Sequence, residues 1–252
     1  DENGVWRMDF ADMEAKLAKQ KIHAAIFCSP HNPTGRVWER WEIEKAMELY
    51  KKHDVFVISD EIWSDLIHPG YKHIPTQSVS EDAKNRTVAM YAPSKTFNIA
   101  GLQCSNIWIP DEKLRERYKE EIAASGYTVP NNTGVVACKA AYTGGDEWYE
   151  ACWKYIQGNL DFVREYLSEN IPQIKLVEPE GTYFAWLDCS ELGLTAEQLN
   201  DLVINKANLW LDAGDIFGKI AEQFQRVVLA CPRETVEKAM ESLKNAVETL
   251  KK

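Results

Sequence analysis

Three short apolar runs, each followed at once by a polar motif, constrain the fold of this chain more than any other feature. The runs cover residues 24–28, 55–58 and 87–91. Between the first two, residues 41–53 place apolar side chains at positions i, i+3, i+4 and i+7, which line one face of a helix. This pattern predicts a βαβ unit, whose two strands are parallel and whose crossover is right-handed.

The rest of the chain continues this alternation. A fourth strand is predicted at residues 105–109, too close to the third for a covering helix, so we expect an antiparallel return. Further helices are predicted over residues 12–21, 111–125, 131–142, 147–169, 195–205 and 233–250, and further strands over residues 175–178, 183–187 and 226–230. The order predicts an α/β fold: a three-layer α/β/α domain with a mostly parallel sheet in residues 1–143, then a linking helix and a smaller α/β domain in residues 144–252.

Composition argues against several classes of protein. The 252 residues carry a net charge of −10 without a basic cluster, which argues against nucleic-acid binding. No apolar run approaches the roughly 20 residues of a membrane helix, and no signal peptide is recognisable. The six cysteines are scattered without a CxxC pair, which argues against a zinc site or a disulfide framework and favours reduced thiols in a cytoplasmic protein.

A lysine follows the third apolar run. To attack an aldehyde, a lysine amine must lose a proton, which a dry or positively charged environment favours. Lys95 is therefore a candidate for Schiff-base formation, and the hydroxyl of Ser94 before it is suited to a phosphate. Taken alone, a lysine in such a loop is more often simply exposed on the surface.

Three further polar side chains fit cofactor chemistry. Asp60, after the second run, is suited to keep a pyridine nitrogen protonated, although an aspartate there also suits a helix N-cap or a solvated ion pair. The amide of Asn32 is suited to donate a hydrogen bond to a phenolic oxygen of the same cofactor. An Asn-Pro pair, however, also commonly initiates a turn. Arg226 is suited to a substrate carboxylate, and a structural salt bridge fits it equally well. Because open α/β sheets bind ligands beyond the carboxyl ends of their strands, we expect Asn32, Asp60 and Lys95 to share one site.

Together these motifs resemble the class I/II aminotransferase family, the fold-type I pyridoxal phosphate enzymes. The resemblance extends over nearly the whole chain and rests on residues 32–35, 59–62, 94–98 and 226–233. A closer resemblance, to the carbon–sulfur β-lyases of the PatB/MalY type (cystathionine β-lyases), rests on residues 94–103, 181–188 and 230–233.

The resemblance implies pyridoxal 5′-phosphate as cofactor. It makes Lys95 the catalytic residue and the Schiff-base lysine, and it pairs Asp60 with the pyridine nitrogen. Asn32 would contact the 3′-oxygen and Ser94 the phosphate. The resemblance also makes Trp63 a cofactor-binding residue, at a position where many family members carry a tyrosine and many lyases a histidine. Its indole N–H can donate a hydrogen bond, but the ring cannot act as acid or base. No metal is implied.

Further positions concern the substrate and the phosphate. By resemblance, Arg226 would bind the substrate α-carboxylate. Many aminotransferases carry a phosphate-binding arginine where this chain has Gln103, which fits the lyase subgroup. Val228 replaces an asparagine that often accompanies the arginine, so one orienting hydrogen bond is expected to be missing.

The reaction expected from the resemblance is cleavage of the C–S bond of cystathionine or a related cysteine S-conjugate, giving a thiol, pyruvate and ammonia. An aminotransferase would use the same residues, and the two differ mainly in the substrate's leaving group. The family's upstream phosphate-cradling helix and ring-stacking aromatic residue are not found before Asp1. We therefore expect the C-terminal part of a longer, homodimeric enzyme that takes a small amino acid, with a non-catalytic fragment as the third hypothesis.

Overall fold

The structure, a computed structural model, describes residue 1, residues 4–127 and residues 129–251. It divides into two compact units, one of Asp1–Asn32 and Arg36–Glu150, the other of Pro33–Gly35 and Ala151–Lys252. The sequence placed a single boundary after residue 143. The short segment Pro33–Gly35 belongs to the second unit because the Gly35 carbonyl accepts backbone hydrogen bonds from residues 180 and 181, each 2.9 Å long.

The first unit contains a sheet of four strands. These are β1 (Ala24–Cys28), β2 (Phe56–Asp60), β3 (Thr87–Tyr91) and β4 (Asn106–Trp108), in that spatial order. β1, β2 and β3 are parallel and β4 is antiparallel to β3, which confirms the predicted βαβ unit and the antiparallel return. The register pairs Cys28 with Asp60 and Asp60 with Met90, so the carboxyl ends of the three parallel strands are level.

The helices of the first unit are α1 (Phe10–Lys19), α2 (Arg40–Lys52), α3 (Glu81–Arg86), α4 (Pro93–Thr96), α5 (Glu112–Ala124) and α6 (Asn132–Gly144). Three of them, α1, α2 and α3, contribute to its hydrophobic core. The apolar stripe of α2 includes the fully buried Ile43 and Ala46, which belong to the same core cluster as Phe27 of β1 and Val57 of β2. This packing confirms the helix predicted from the spacing of apolar residues.

The opposite face of β1 differs from expectation. A continuous apolar run predicts a strand buried on both faces, yet Ile26 is 78% exposed while its neighbour Phe27 is buried. Successive side chains of a strand point to opposite faces, so Phe27 reaches the core under α2 and Ile26 points away from it.

The second unit is built on an antiparallel sheet. Its strands are β5 (Lys175–Val177), β6 (Phe184–Asp188), β7 (Asp212–Ala213) and β8 (Phe224–Val228), in the spatial order β5-β6-β8-β7. Its helices are α7 (Asp146–Asn170), whose first turn lies in the first unit, α8 (Ala196–Asp201) and α9 (Arg233–Glu248). The helix predicted over residues 195–205 ends as α8 and continues as a π-helical turn, Leu202–Lys206. None of the helices in the described ranges is both long and apolar enough to cross a bilayer.

Candidate functional site

The carboxyl edge of the parallel strands gathers the predicted residues of the first unit. The chain leaves β1 through Ser29, whose backbone N–H donates to the carbonyl of Asp60 at 3.0 Å. It leaves β2 through Glu61, whose N–H donates to the carbonyl of Met90, also at 3.0 Å. These bonds continue the sheet ladder past the strand ends, so the segments that carry Asn32, Asp60 and Lys95 start from the same edge.

Lys95 lies in α4, directly after β3. Its side chain is half-buried, and Nζ lies 5.6 Å from the ring centroid of the buried Trp63, within cation–π range. In the described part of the chain Nζ forms no hydrogen bond or ion pair. Lys95 is thus neither a freely exposed lysine nor one committed to a carboxylate, and its amine remains available for covalent chemistry.

The backbone around Lys95 is anchored on both sides. Pro93 occupies the first position of α4, where its missing N–H is not needed. Thr96 donates from Oγ1 to Oδ2 of Asp65 at 2.8 Å, and the hydroxyl of Tyr149 donates to the Asp65 carbonyl. The Phe97 ring packs at 5.9 to 6.4 Å from three aromatic rings of the first unit, those of Tyr142, Trp148 and Tyr149. Ser94 is half-buried within the same turn, so the whole Ser94–Lys95 segment is held in place.

Asp60 ends β2 and is half-buried. Its Oδ1 accepts a hydrogen bond of 3.2 Å from the backbone N–H of Ile62. Within the described ranges no second hydrogen bond and no lysine or arginine reaches this carboxylate, and no helix begins there. The alternatives of an N-cap and of an ion pair are therefore not what the structure contains, and the carboxylate keeps acceptor capacity for a ligand.

The segment after β1 contributes further polar groups. The half-buried Asn32 follows His31 at the end of the first stretch of unit one. The Oγ of Ser29 is buried with no hydrogen-bond partner among the described residues. A buried hydroxyl without a partner is unfavourable unless a ligand or water supplies one, so Ser29 joins the candidate site although the sequence did not single it out.

His31 is a source of acid sensitivity. Burial lowers the pKa of its imidazole to about 4, against an ordinary value near 6.5. Between these values the unfolded chain takes up a proton that the folded chain does not, so the free energy of unfolding falls as pH falls, by about 3 kcal/mol over the whole window.

We expect His31→Gln to remove this loss. Urea unfolding at pH 7 and at pH 4.5 measures it, and the decrease in unfolding free energy between the two should be smaller by about 2.5 kcal/mol in the variant than in the parent. His23→Gln changes an exposed histidine and should decline in parallel with the parent. An unchanged decline in His31→Gln contradicts the assignment.

Glu61, the neighbour of Asp60, is the buried acid whose carboxylate is surrounded by hydrogen-bond donors. It is fully buried, and four groups donate hydrogen bonds to its carboxylate: the Ser59 hydroxyl, the Thr76 N–H, the His73 ring and the Tyr91 hydroxyl. Burial alone raises the pKa of Glu61, but the hydrogen bond and charge of His73, with the other donors, outweigh it and lower the pKa below its ordinary value. The sequence signal was an acid directly after a buried strand, since such an acid requires donors.

Arg226 lies in the second unit, on β8, and it is engaged in an ion pair. Its Nη2 and Nε lie 2.6 Å and 3.1 Å from the same Oδ2 of Asp212, its register partner on β7. The guanidinium also lies over the rings of Phe184 and Phe217, at 4.3 Å and 4.9 Å. The structural salt bridge that the sequence left open is therefore present, and it orients the planar fork between two aromatic rings.

Two departures noted in the sequence can also be located. Gln103 is exposed and adopts a left-handed conformation with φ of 51°. Val228 ends β8 and is 44% exposed. Within the described ranges no hydrogen bond is formed by the side chain of Gln103.

Comparison with known proteins gives a consistent result. The family model for aminotransferase class I and II matches residues 1–243. Cystathionine beta-lyase PatB of Bacillus subtilis is 37% identical over 98% of this chain and 64% of its own length. A PLP-bound putative aminotransferase from Clostridium difficile is 41% identical with a TM-score of 0.94, over 98% of this chain and 63% of that one. Cystalysin from Treponema denticola, whose structure contains pyridoxal 5′-phosphate, is 37% identical with a TM-score of 0.94 and the same coverage. The chain thus spans slightly less than two thirds of these relatives.

Proposed function

The chain belongs to the aminotransferase class I and II family, and from that membership we propose that its protein is a pyridoxal phosphate-dependent carbon–sulfur β-lyase. The proposed substrates are cystathionine or related cysteine S-conjugates. The observation that carries the proposal is the amine of Lys95, half-buried and without a hydrogen-bonding partner in the described ranges, at the strand edge that also carries Asp60. The similarity to PatB over 98% of the chain supports the choice of a lyase.

The groups at this edge fit pyridoxal phosphate. The amine of Lys95 suits the aldehyde, and the open acceptor capacity of Asp60 suits a protonated pyridine nitrogen. The hydroxyl of Ser29, which has no hydrogen-bond partner among the described residues, lies at the same edge as Asn32. The amide of Asn32 suits the 3′-oxygen, and Ser94 suits the phosphate. When bound, the cofactor supplies an electron sink for the pair of electrons left when the amino acid loses its α-proton.

The chain's own residues would bind the substrate and transfer its protons. By the family resemblance Arg226 would bind the substrate α-carboxylate, and Asp212 orients its guanidinium. The amine of Lys95 would remove the α-proton of the bound amino acid, with Nζ as the base. Trp63, close to that nitrogen, shields it from water without exchanging protons itself. The C–S bond breaks with its electron pair on sulfur, and water completes the balance to a thiol, pyruvate and ammonia.

Mixing the protein with pyridoxal phosphate and cystathionine tests the proposal. We expect pyruvate and homocysteine to appear in equal amounts, because each β-elimination releases both. Pyruvate is followed with lactate dehydrogenase and the thiol with a disulfide reagent. A protein that binds the cofactor and accepts amino acids but forms no pyruvate contradicts the lyase proposal.

An aminotransferase is the second candidate, favoured by the 41% identity to a PLP-bound putative aminotransferase. Incubation with an amino acid that has no β-leaving group, such as alanine, distinguishes the two activities. A lyase leaves the absorbance of its bound cofactor essentially unchanged after prolonged incubation, whereas an aminotransferase converts it to the amine form and releases the matching α-keto acid.

We also propose that the full-length protein is a cytoplasmic homodimer. The six free cysteines and the absence of a membrane-spanning helix among the described ranges are compatible with that location. We infer the homodimer from the family resemblance, because active sites in this family lie between subunits. Light scattering of the full-length protein gives the mass that tests it.

A further inference from the structure

Glu61 stands beside Asp60 but has no part in the proposed chemistry. Its two carboxylate oxygens are saturated by donors from three separate stretches of chain. Oε1 accepts from the Ser59 hydroxyl at 2.8 Å and from the Thr76 N–H at 2.9 Å. Oε2 accepts from the ring of His73 at 2.8 Å and from the hydroxyl of Tyr91 at 2.7 Å.

Two of these donors, Ser59 and Tyr91, lie close in sequence to the two residues on which cofactor binding is proposed to depend. Ser59 directly precedes Asp60 on β2, and Glu61 directly follows it. Because successive side chains of a strand alternate between faces, Ser59 and Glu61 share one face while Asp60 points to the other. Tyr91 is the last residue of β3, four positions before Lys95. The Glu61 carboxylate therefore links Ser59, on the other side of Asp60, to the end of the strand that leads to Lys95.

The loop after β2 is held by the same group. Thr76 and His73 belong to it, the Thr76 hydroxyl also lies 2.8 Å from that of Ser59, and Gln77 donates to the Tyr91 hydroxyl at 2.8 Å. Side chains in such a network lock one another's rotamers, and a reactive group is held to within fractions of an ångström only when its support is locked.

We propose that Glu61 is a positioning residue for the cofactor: its buried carboxylate fixes Asp60 and the Lys95 segment relative to each other, so that cofactor affinity depends on it. This inference rests on the proposed function. Glu61 acts through Ser59, Tyr91 and the loop after β2, and not by contact with the cofactor.

Only a carboxylate satisfies this set of donors. Ser59 and Tyr91 carry hydroxyls that can rotate, but the Thr76 N–H is a fixed backbone donor and the His73 ring nitrogen donates in the pairing seen here. A glutamine of the same shape offers one acceptor oxygen and turns an NH2 group toward donors on the other side. At least one buried donor is then left without an acceptor, which loosens the support of Asp60 and Lys95.

Glu61→Gln tests the inference, with Glu42→Gln as its matched control. Glu42 is equally buried and is ion-paired with Arg36 at 2.6 Å, but it lies on α2 and caps that helix. Pyridoxal phosphate is titrated into each full chain and followed by absorbance. Covalent uptake at Lys95 is read by borohydride reduction and peptide mass, and folding by far-UV circular dichroism.

We expect Glu61→Gln to keep its secondary structure and to bind the cofactor about tenfold more weakly or worse. Glu42→Gln should lose stability while its cofactor affinity stays within about twofold of the parent. Tyr91→Phe, which removes one of the four hydrogen bonds, should give an intermediate loss and preserves the test if Glu61→Gln does not fold.

The outcomes separate the two proposals. If the unsubstituted protein takes up no cofactor at Lys95, the proposed function and this inference fall together. If it does, and Glu61→Gln or Tyr91→Phe binds with the parent's affinity, the inference alone is wrong. An equal loss of affinity in Glu42→Gln also overturns it, since any buried carboxylate would then have the same effect.

Discussion

Replacing Lys95 with alanine is expected to abolish covalent uptake of pyridoxal phosphate and to reduce pyruvate formation by about 10⁴-fold. In the proposed reaction this side chain would supply both the nitrogen that bonds to the cofactor's aldehyde and the base that removes the α-proton. Because Nζ lies against the Trp63 ring and is bound to no carboxylate in the described ranges, its removal leaves no unpaired partner behind. The unfolding free energy should therefore change little.

Lys45→Ala is the matched control for this prediction. Its Nζ lies 4.5 Å from the Phe10 ring centroid, so it too is a lysine over an aromatic ring in the first unit, but it sits on α2. Borohydride reduction followed by intact mass should show one cofactor adduct in the parent and in Lys45→Ala, and none in Lys95→Ala. An adduct that persists in Lys95→Ala would place the reactive amine on another lysine.

The sequence alone predicts those helices and strands whose pattern of apolar residues lies within the element itself. β3 was predicted with the bounds that the structure shows, because five apolar or β-branched residues between polar segments determine it. α3 was missed because only Ala83 of its six residues is buried, so it has no apolar stripe to detect. The two-residue β7 is too short to have a pattern of its own, and only pairing with β8 defines it.

The candidate site divides in the same way. Asp60 and Lys95 were predicted because each closely follows an apolar run of the sequence, and the carboxyl ends of parallel strands meet at one edge. Most of the donors to Glu61 could not be predicted from the sequence. His73, Thr76 and Tyr91 lie 12, 15 and 30 residues further along the chain, and only folding brings them together. Likewise the carboxylate that holds Arg226 comes from the unrecognised β7.

In the second unit, Trp186→Ala is expected to have the largest effect on stability. Trp186 on β6 is 1% exposed, stacks on Phe224 with 5.1 Å between centroids, and meets the edge of Phe217 at 5.6 Å. Removing a buried aromatic side chain of this size lowers the unfolding free energy by about 3–5 kcal/mol. Trp210→Ala, which changes a tryptophan that is 91% exposed, should stay within about 0.5 kcal/mol of the parent.

The indole nitrogen of Trp186 refines this expectation. Nε1 is buried and has no hydrogen-bond partner among the described residues, so the native side chain carries an unsatisfied donor that costs about 1–3 kcal/mol. Trp186→Phe removes that donor and keeps an aromatic ring between Phe217 and Phe224, so its loss should be well under half that of Trp186→Ala. Urea unfolding followed by circular dichroism measures all three variants. If Trp186→Phe is as destabilised as Trp186→Ala, ring packing does not account for the stability of this core, and the indole N–H must have a partner in solution.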